Sequence, residues 1–382
     1  MKILAYGLTI LLILSFVVGC TAAAPLPTPS PAPTPTLAPT TEPTSTPQPL
    51  LPTPLVVKTV TPVPTRALTV TLTPAPTAAL LADRWRFGVA LAVGQITDYD
   101  LATLLPGWYL NWNVTQVRPE TPEIEYAPMV RVSETGFSPS AEAILAVVDA
   151  MPGALWMLGN EPDVRWQDNT TPEAYARHYH ALYTLIKGRD PSAQVAIGGL
   201  SQPTALRIRY LERVLATYEA EFGAPMPVDV WNIHAFILRE EADSWGVGIP
   251  PGFDDKQGEL YEIKDNDNLE IFQRQIIGFR YWLWTKGQRD KPLIVSEYAV
   301  NMPPDYGFPP EAVQKFMEGS FDFLLNARDP EIGYPQDDNR LVQRWCWYSL
   351  ADPTYFTSNL FDPQSYAITP LGEAFGRYVR TH

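Results

Sequence analysis

From residue 81 onward, short apolar runs alternate with longer stretches whose apolar positions recur every three or four residues. The short runs predict buried strands at Trp85–Val93, Trp108–Val114, Ile124–Val132, Ala154–Gly159, Gln194–Gly198, Val228–Ala235, Leu293–Ser296 and Val342–Leu350. The longer ones predict helices at Pro172–Lys187, Leu206–Phe222, Leu269–Lys286, Pro310–Ala327 and Thr369–Val379. Eight strands, each followed by a helix or a helix-length gap, are the count of a closed (β/α)8 TIM barrel, an α/β fold. An open doubly wound sheet is the rival arrangement. No Gly-x-Gly-x-x-Gly follows any of these strands, so nucleotide binding loses its main support.

Two of the strands end in chemistry. Ala154-Leu155-Trp156-Met157-Leu158-Gly159 runs into Asn160-Glu161-Pro162-Asp163, and Leu293-Ile294-Val295 runs into Ser296-Glu297-Tyr298. A carboxylate costs several kcal/mol in an apolar interior, so a glutamate ending a buried strand must face a cavity or solvent. In a β/α barrel that end is where active sites lie. Glu161 would end strand four and Glu297 strand seven, over one mouth. Glycoside cleavage needs one protonated and one ionised carboxyl group flanking the scissile bond. Two nearby carboxylates push their pKa values apart and so supply the difference. His234 ends strand six and would line the same mouth, hydrogen-bonded to Glu297 or to substrate; the other reading is a core histidine satisfied by a backbone carbonyl. Sugar faces stack on aromatic rings, and the chain has 11 tryptophans. Trp345 and Trp347 share a face by the period of two, which makes Trp347 a candidate platform with Trp112 the second.

The pattern changes character before residue 81. Lys2 precedes an apolar run from Ile3 to Val18, which ends in Val17-Val18-Gly19-Cys20. This resembles a lipoprotein signal peptide over 1–19 with lipid carried on Cys20, and about 16 apolar residues are short for a membrane span. Residues 20–80 are rich in Thr-Pro and Ala-Pro. They hold 16 of the chain's 40 prolines and three charged side chains, a composition that predicts a disordered polyproline-like linker. At full extension it would reach on the order of 190 Å. The domain over 81–382 then carries most of the net charge of −14, which argues against nucleic acid. With Cys20 used by the anchor, Cys346 stands alone, so neither a disulfide nor a metal cluster is expected, and no cofactor. A loop of about 30 residues, 237–268, follows strand six and reads as a cleft wall or lid. Within it, Asp265-Asn266-Asp267-Asn268 lacks a calcium loop's glycine and distal glutamate and reads as a helix cap.

Asn160-Glu161 on strand four with Glu297 on strand seven resembles the acid/base and nucleophile of the clan A retaining glycoside hydrolases. Within that clan the chain is most similar to family 128, the endo-β-1,3-glucanases. Trp108-Tyr109-Leu110-Asn111-Trp112, Leu158-Gly159-Asn160-Glu161-Pro162-Asp163, Ser296-Glu297-Tyr298 and Thr369-Pro370-Leu371-Gly372 carry the resemblance. It implies that Glu161 is the acid/base, Glu297 the nucleophile and Asn160 a donor to the sugar 2-hydroxyl. It also places Asn111 and Tyr298 beside the substrate. Two segments depart from the family pattern: Arg131 stands where strand three should end in an aromatic, and Ala235 where one should follow His234.

The expected protein is therefore a cell-surface β-glycan hydrolase, held to the membrane by lipid on Cys20, with a polysaccharide as its only inferred partner. Its rivals are a related xylanase, mannanase or β-1,4-glucanase, and a surface barrel that binds glycans without cleaving them. Retention of both glutamates argues against the last. Protease and esterase readings lack Gly-x-Ser-x-Gly and His-Glu-x-x-His.

Overall fold

A computed structural model of the protein describes residues 83–115 and 124–382. The leader over 1–19, Cys20 and the linker over 20–80 lie outside the described residues. Among the described residues there are ten strands: β1 (Phe87–Ala90), β2 (Trp108–Leu110), β3 (Glu125–Tyr126), β4 (Met129–Ser133), β5 (Gly136–Ser138), β6 (Leu155–Asn160), β7 (Gln194–Gly199), β8 (Trp231–His234), β9 (Leu293–Tyr298) and β10 (Arg344–Trp347). The helices are α1 (Leu101–Leu104), α2 (Ala141–Ala150), α3 (Pro172–Arg189), α4 (Ala205–Phe222), α5 (Leu269–Thr285), α6 (Pro310–Asn326) and α7 (Pro370–Thr381).

Local chemistry sets the helix ends. Thr171 and Thr369 accept from the backbone N–H groups of Ala174 and Gly372, and each is followed by a proline at the first helical position. Asn268 caps α5 by accepting from Glu270 and Ile271, so the Asp265–Asn268 run is a helix cap. Gly223 ends α4 in the left-handed conformation.

The closed ring of eight is not what the ladder forms. All strands but β5 run parallel, in two sheets ordered β3-β2-β1-β10-β9-β8 and β5-β4-β6-β7. Each break has a local cause. Between β3 and β4 the chain passes Pro128, which has no N–H to give the ladder. Between β7 and β8 the pairing shrinks to single bridges at Ala196↔Val230 and Leu200↔Ile233, four residues against three. Alternate residues from both sheets, among them Leu110, Met129, Met157, Ala196, Ile294 and Cys346, nevertheless pack into a small cluster of their own. The opposite faces join the large core beneath the helices, including Phe87, Trp156, Ile197, Trp231, Val295 and Trp345. The strands thus have an inner and an outer side, and the site forms where the inner side reaches their C-terminal ends.

Candidate active site

β6 delivers the first carboxylate through a backbone turn rather than by simple alternation. Gly159 takes φ +104° and Glu161 φ +43°, the left-handed region that a non-glycine residue occupies only when its surroundings hold it there. The holding groups are visible. Glu161 N–H donates to the Gly199 carbonyl at 3.0 Å, and the buried Asp168 carboxylate accepts from the backbone N–H of Asn160 at 2.7 Å. Asp168 also accepts from Val132 N–H and from Arg131 Nε at 2.5 Å. Arg131 and Asp168 therefore fix the Asn-Glu turn, a pairing of distant residues that sequence spacing does not announce.

The second carboxylate arrives by a bulge. In β9 the register shifts against both neighbours: Ile233 and His234 face Val295 and Glu297, and Trp345 and Trp347 face Val295 and Tyr298. One extra residue at Ser296 turns Glu297 to the inner side, a common use of bulges beside active sites.

His234, wholly buried, lies between the two glutamates. Its Nδ1 is 2.9 Å from Glu161 Oε1, a hydrogen bond, and its Nε2 is 3.4 Å from Glu297 Oε1, an ionic contact rather than an aligned bond. Trp112 donates its indole N–H to the same Glu297 oxygen at 2.6 Å. Gly199 makes this possible, because a Cβ there would fall 2.4 Å from the histidine ring. Burial pushes the Glu297 carboxyl up to about 7, with Glu161 adding to the shift; His234, the Trp112 donor and Arg131 oppose it. Burial lowers His234, but the two glutamates outweigh it and its pKa is raised.

Of the residues singled out in the sequence, Glu161, Glu297, His234 and Trp112 meet here. Asn160 stands beside them, its side-chain amide donating to Gln167 at 3.3 Å and its Oδ1 buried without a protein partner. Two others are corrected. Trp347 is 0% exposed, donates to the Ser358 carbonyl and packs on Tyr298 and Phe321 beneath the helices, so it is no sugar platform. Tyr298 lies on that same outer side, bonded to Ser320. Asn111, half-buried, donates to Thr115 and accepts from Tyr126 in the loop carrying Trp112. The aromatic wall at the mouth is instead Trp112, Tyr348 and Phe236, with Tyr348 edge-on to both and its hydroxyl donating to Asp352. Tyr348 is one residue from Trp347, so it falls on the inner side by the same period of two.

The 237–268 loop is held in place by charge. Arg207, fully buried on α4, pairs with Asp163 at 2.7 Å and Glu240 at 2.9 Å and donates to the carbonyls of Val247 and Gly248. One guanidinium thus joins the loop to the segment that follows Glu161. Among the described residues, no group of three or more His, Cys, Asp or Glu is placed to hold a metal ion.

Residues 94–244, which include Asn160, Glu161 and His234, match the family model described as glycosyl hydrolase catalytic core. No curated protein matches the chain. Among solved structures it is similar in fold to a family 128 (subgroup II) endo-β-1,3-glucanase from Pseudomonas viridiflava, at 19% identity and TM-score 0.52, over 76% of this chain and 96% of that one. A subgroup III curdlan-specific exo-β-1,3-glucanase from Blastomyces gilchristii, in complex with glucose, matches at 19% identity and TM-score 0.50, over 77% and 98%. A subgroup I endo-β-1,3-glucanase from Amycolatopsis mediterranei, in complex with laminarihexaose, matches at 15% identity and TM-score 0.50, over 76% and 98%.

Proposed function

We propose that this protein is a glycoside hydrolase that cleaves a β-glucan, with β-1,3-glucan the substrate favoured by its structural neighbours, through a retaining double displacement. The observation that best supports the hydrolase reading is one imidazole in contact with both strand-end glutamates, which brings the two carboxyl groups to one site, while the retaining course is what the family resemblance implies.

The family resemblance sorts the two roles: Glu297, with the Trp112 N–H favouring its ionised form, as the nucleophile, and Glu161 as the acid. Glu297 attacks the anomeric carbon while Glu161 gives its proton to the departing oxygen, so the C–O bond breaks as the glycosyl ester forms. Glu161 then removes a proton from water as that water attacks the same carbon and frees the Glu297 carboxylate. By the same resemblance Asn160 would donate to the sugar 2-hydroxyl, and Trp112 and Tyr348 would line the sugar beside the nucleophile.

The Val17–Cys20 pattern completes the reading: an exported lipoprotein, anchored through Cys20 and displayed on the cell surface by the linker over 20–80. The deciding experiment is reducing-sugar release from a panel of β-1,3-glucan, β-1,4-glucan, xylan and mannan. Activity on β-1,3-glucan that disappears in both Glu161→Gln and Glu297→Gln is expected. No release from any member would refute the hydrolase assignment, and activity confined to another member would move the substrate.

A further inference from the structure

The catalytic-face loops hold an aromatic ring that the chemistry above leaves unused. Trp166 is 66% exposed, more than any other large hydrophobic residue among those described. It sits at the tip of the segment from Glu161 to Thr171, between β6 and α3, and that segment is tied down at several points. Val164 N–H donates to the Glu161 carbonyl, Gln167 N–H to Val164 and Thr170 N–H to Pro162. Buried Asp163 and Asp168 anchor its two halves through Arg207 and Arg131. The next residue, Gln167, accepts from the side chain of Asn160. Arg165 lies over one face of the indole, 4.5 Å from the ring centroid, which leaves the other face to a ligand.

Single exposed hydrophobics are ordinary on a protein surface. Here they are not scattered. Of the eight large exposed ones among the described residues, Trp166, Leu260, Tyr306, Tyr355 and Phe356 lie in loops after β6, β8, β9 and β10, at the end of the strands that bears the glutamates. Of these, Trp166 belongs to the segment that begins with Glu161. A proton donated by Glu161 goes to the leaving oxygen, so the sugar next to this segment is the one that departs.

We propose that Trp166 is a stacking platform for a sugar ring on the leaving-group side of the scissile bond, its ring, carried by an anchored segment, meeting the apolar C–H face of the pyranose. The inference rests on the hydrolase reading and deepens it. The test uses the full chain as wild type, Trp166→Ala and Trp166→Phe, on β-1,3-gluco-oligosaccharides of increasing length, or on those of whichever glycan the wild type cleaves. The quantity read is the ratio of kcat/KM for the longest oligosaccharide to that for the shortest one cleaved. In Trp166→Ala this ratio should fall on the order of tenfold, chiefly through KM on the long substrates, with Trp166→Phe keeping most of it. An unchanged ratio in Trp166→Ala overturns the inference while leaving the hydrolase intact, as does an equal loss on all lengths. A wild type that cleaves no glycan, or a Glu297→Gln variant with full activity, instead removes the reading beneath it.

Discussion

At the scale of single residues, the two glutamates should fail in different ways. Glu297→Ala removes the covalent step and should lower kcat by at least ~10³-fold, with added azide or formate restoring part of it as the inverted product. Glu161→Ala should cost about 10²–10⁴-fold on oligosaccharides but far less on aryl glycosides with good leaving groups, which need little protonation. Equal losses on both substrate types would exclude Glu161 as the acid. The pH dependence follows from burial. Glu297 is raised from 4.5 to about 7, and only its ionised form can attack, so kcat/KM should rise with pH through about 7. Trp112→Phe deletes a hydrogen bond that favours the carboxylate, and this limb should then move to higher pH. Stability should run the other way. Glu297 holds its proton more tightly folded than unfolded, so its contribution is fully present below pH 4.5 and is lost as pH rises through about 7. His234, also raised, has the same sign. Glu297→Gln should flatten the decline in melting temperature across this window, and a slope unchanged by that substitution would show the group titrates normally.

At the scale of elements, what could be read from the pattern and what could not have one physical divide. Strand and helix positions were legible because each buried run is short, apolar and closed by a cap or a proline: predicted helices at 172–187 and 310–327 appear as 172–189 and 310–326. Glu161, Glu297 and His234 were legible because charge at the end of a buried strand has few places to go. Which way a side chain points was not. Period-two counting holds along a regular strand, yet Glu297 reaches the inner side only because a bulge at Ser296 resets the count, and that same reset sends Tyr298 outward. On β10 the period of two pairs Trp347 with Trp345 but does not say which face is inward, and it is Tyr348 that points to the mouth. Non-local ion pairs were equally invisible. Arg207 joins Asp163 and Glu240 with no exposure to solvent, and removing one partner of a buried pair strands the other charge. Arg207→Met should therefore destabilise the domain by about 3–5 kcal/mol in denaturant unfolding. In the folded fraction it should also raise KM, because the 237–268 loop loses its link to the Glu161 segment. A loss below ~1 kcal/mol would mean the triad is solvated in solution.

At the scale of the whole molecule, composition sets the expectation for the chain before residue 81. Residues 20–80 hold three charged side chains and 16 prolines, a composition that favours an extended linker, and we propose that role for them. Among the described residues, Phe87 of β1 packs against Phe321, Trp345 and Phe375, residues from α6, β10 and α7. A chain beginning near residue 81 should accordingly keep the melting temperature and the kcat of the full protein on soluble oligosaccharides. What it should lose is place. With the leader and Cys20 gone, the truncated chain should fractionate as soluble, and Cys20→Ser in the full chain should do the same if lipid on that thiol is the anchor. The two changes separate the anchor from the linker. A Cys20→Ser protein that still sediments with membranes would assign attachment to the apolar run from Ile3 to Val18 acting as an uncleaved helix. A truncated domain that melts well below the full chain would show that the linker stabilises the folded domain rather than spacing it from the membrane.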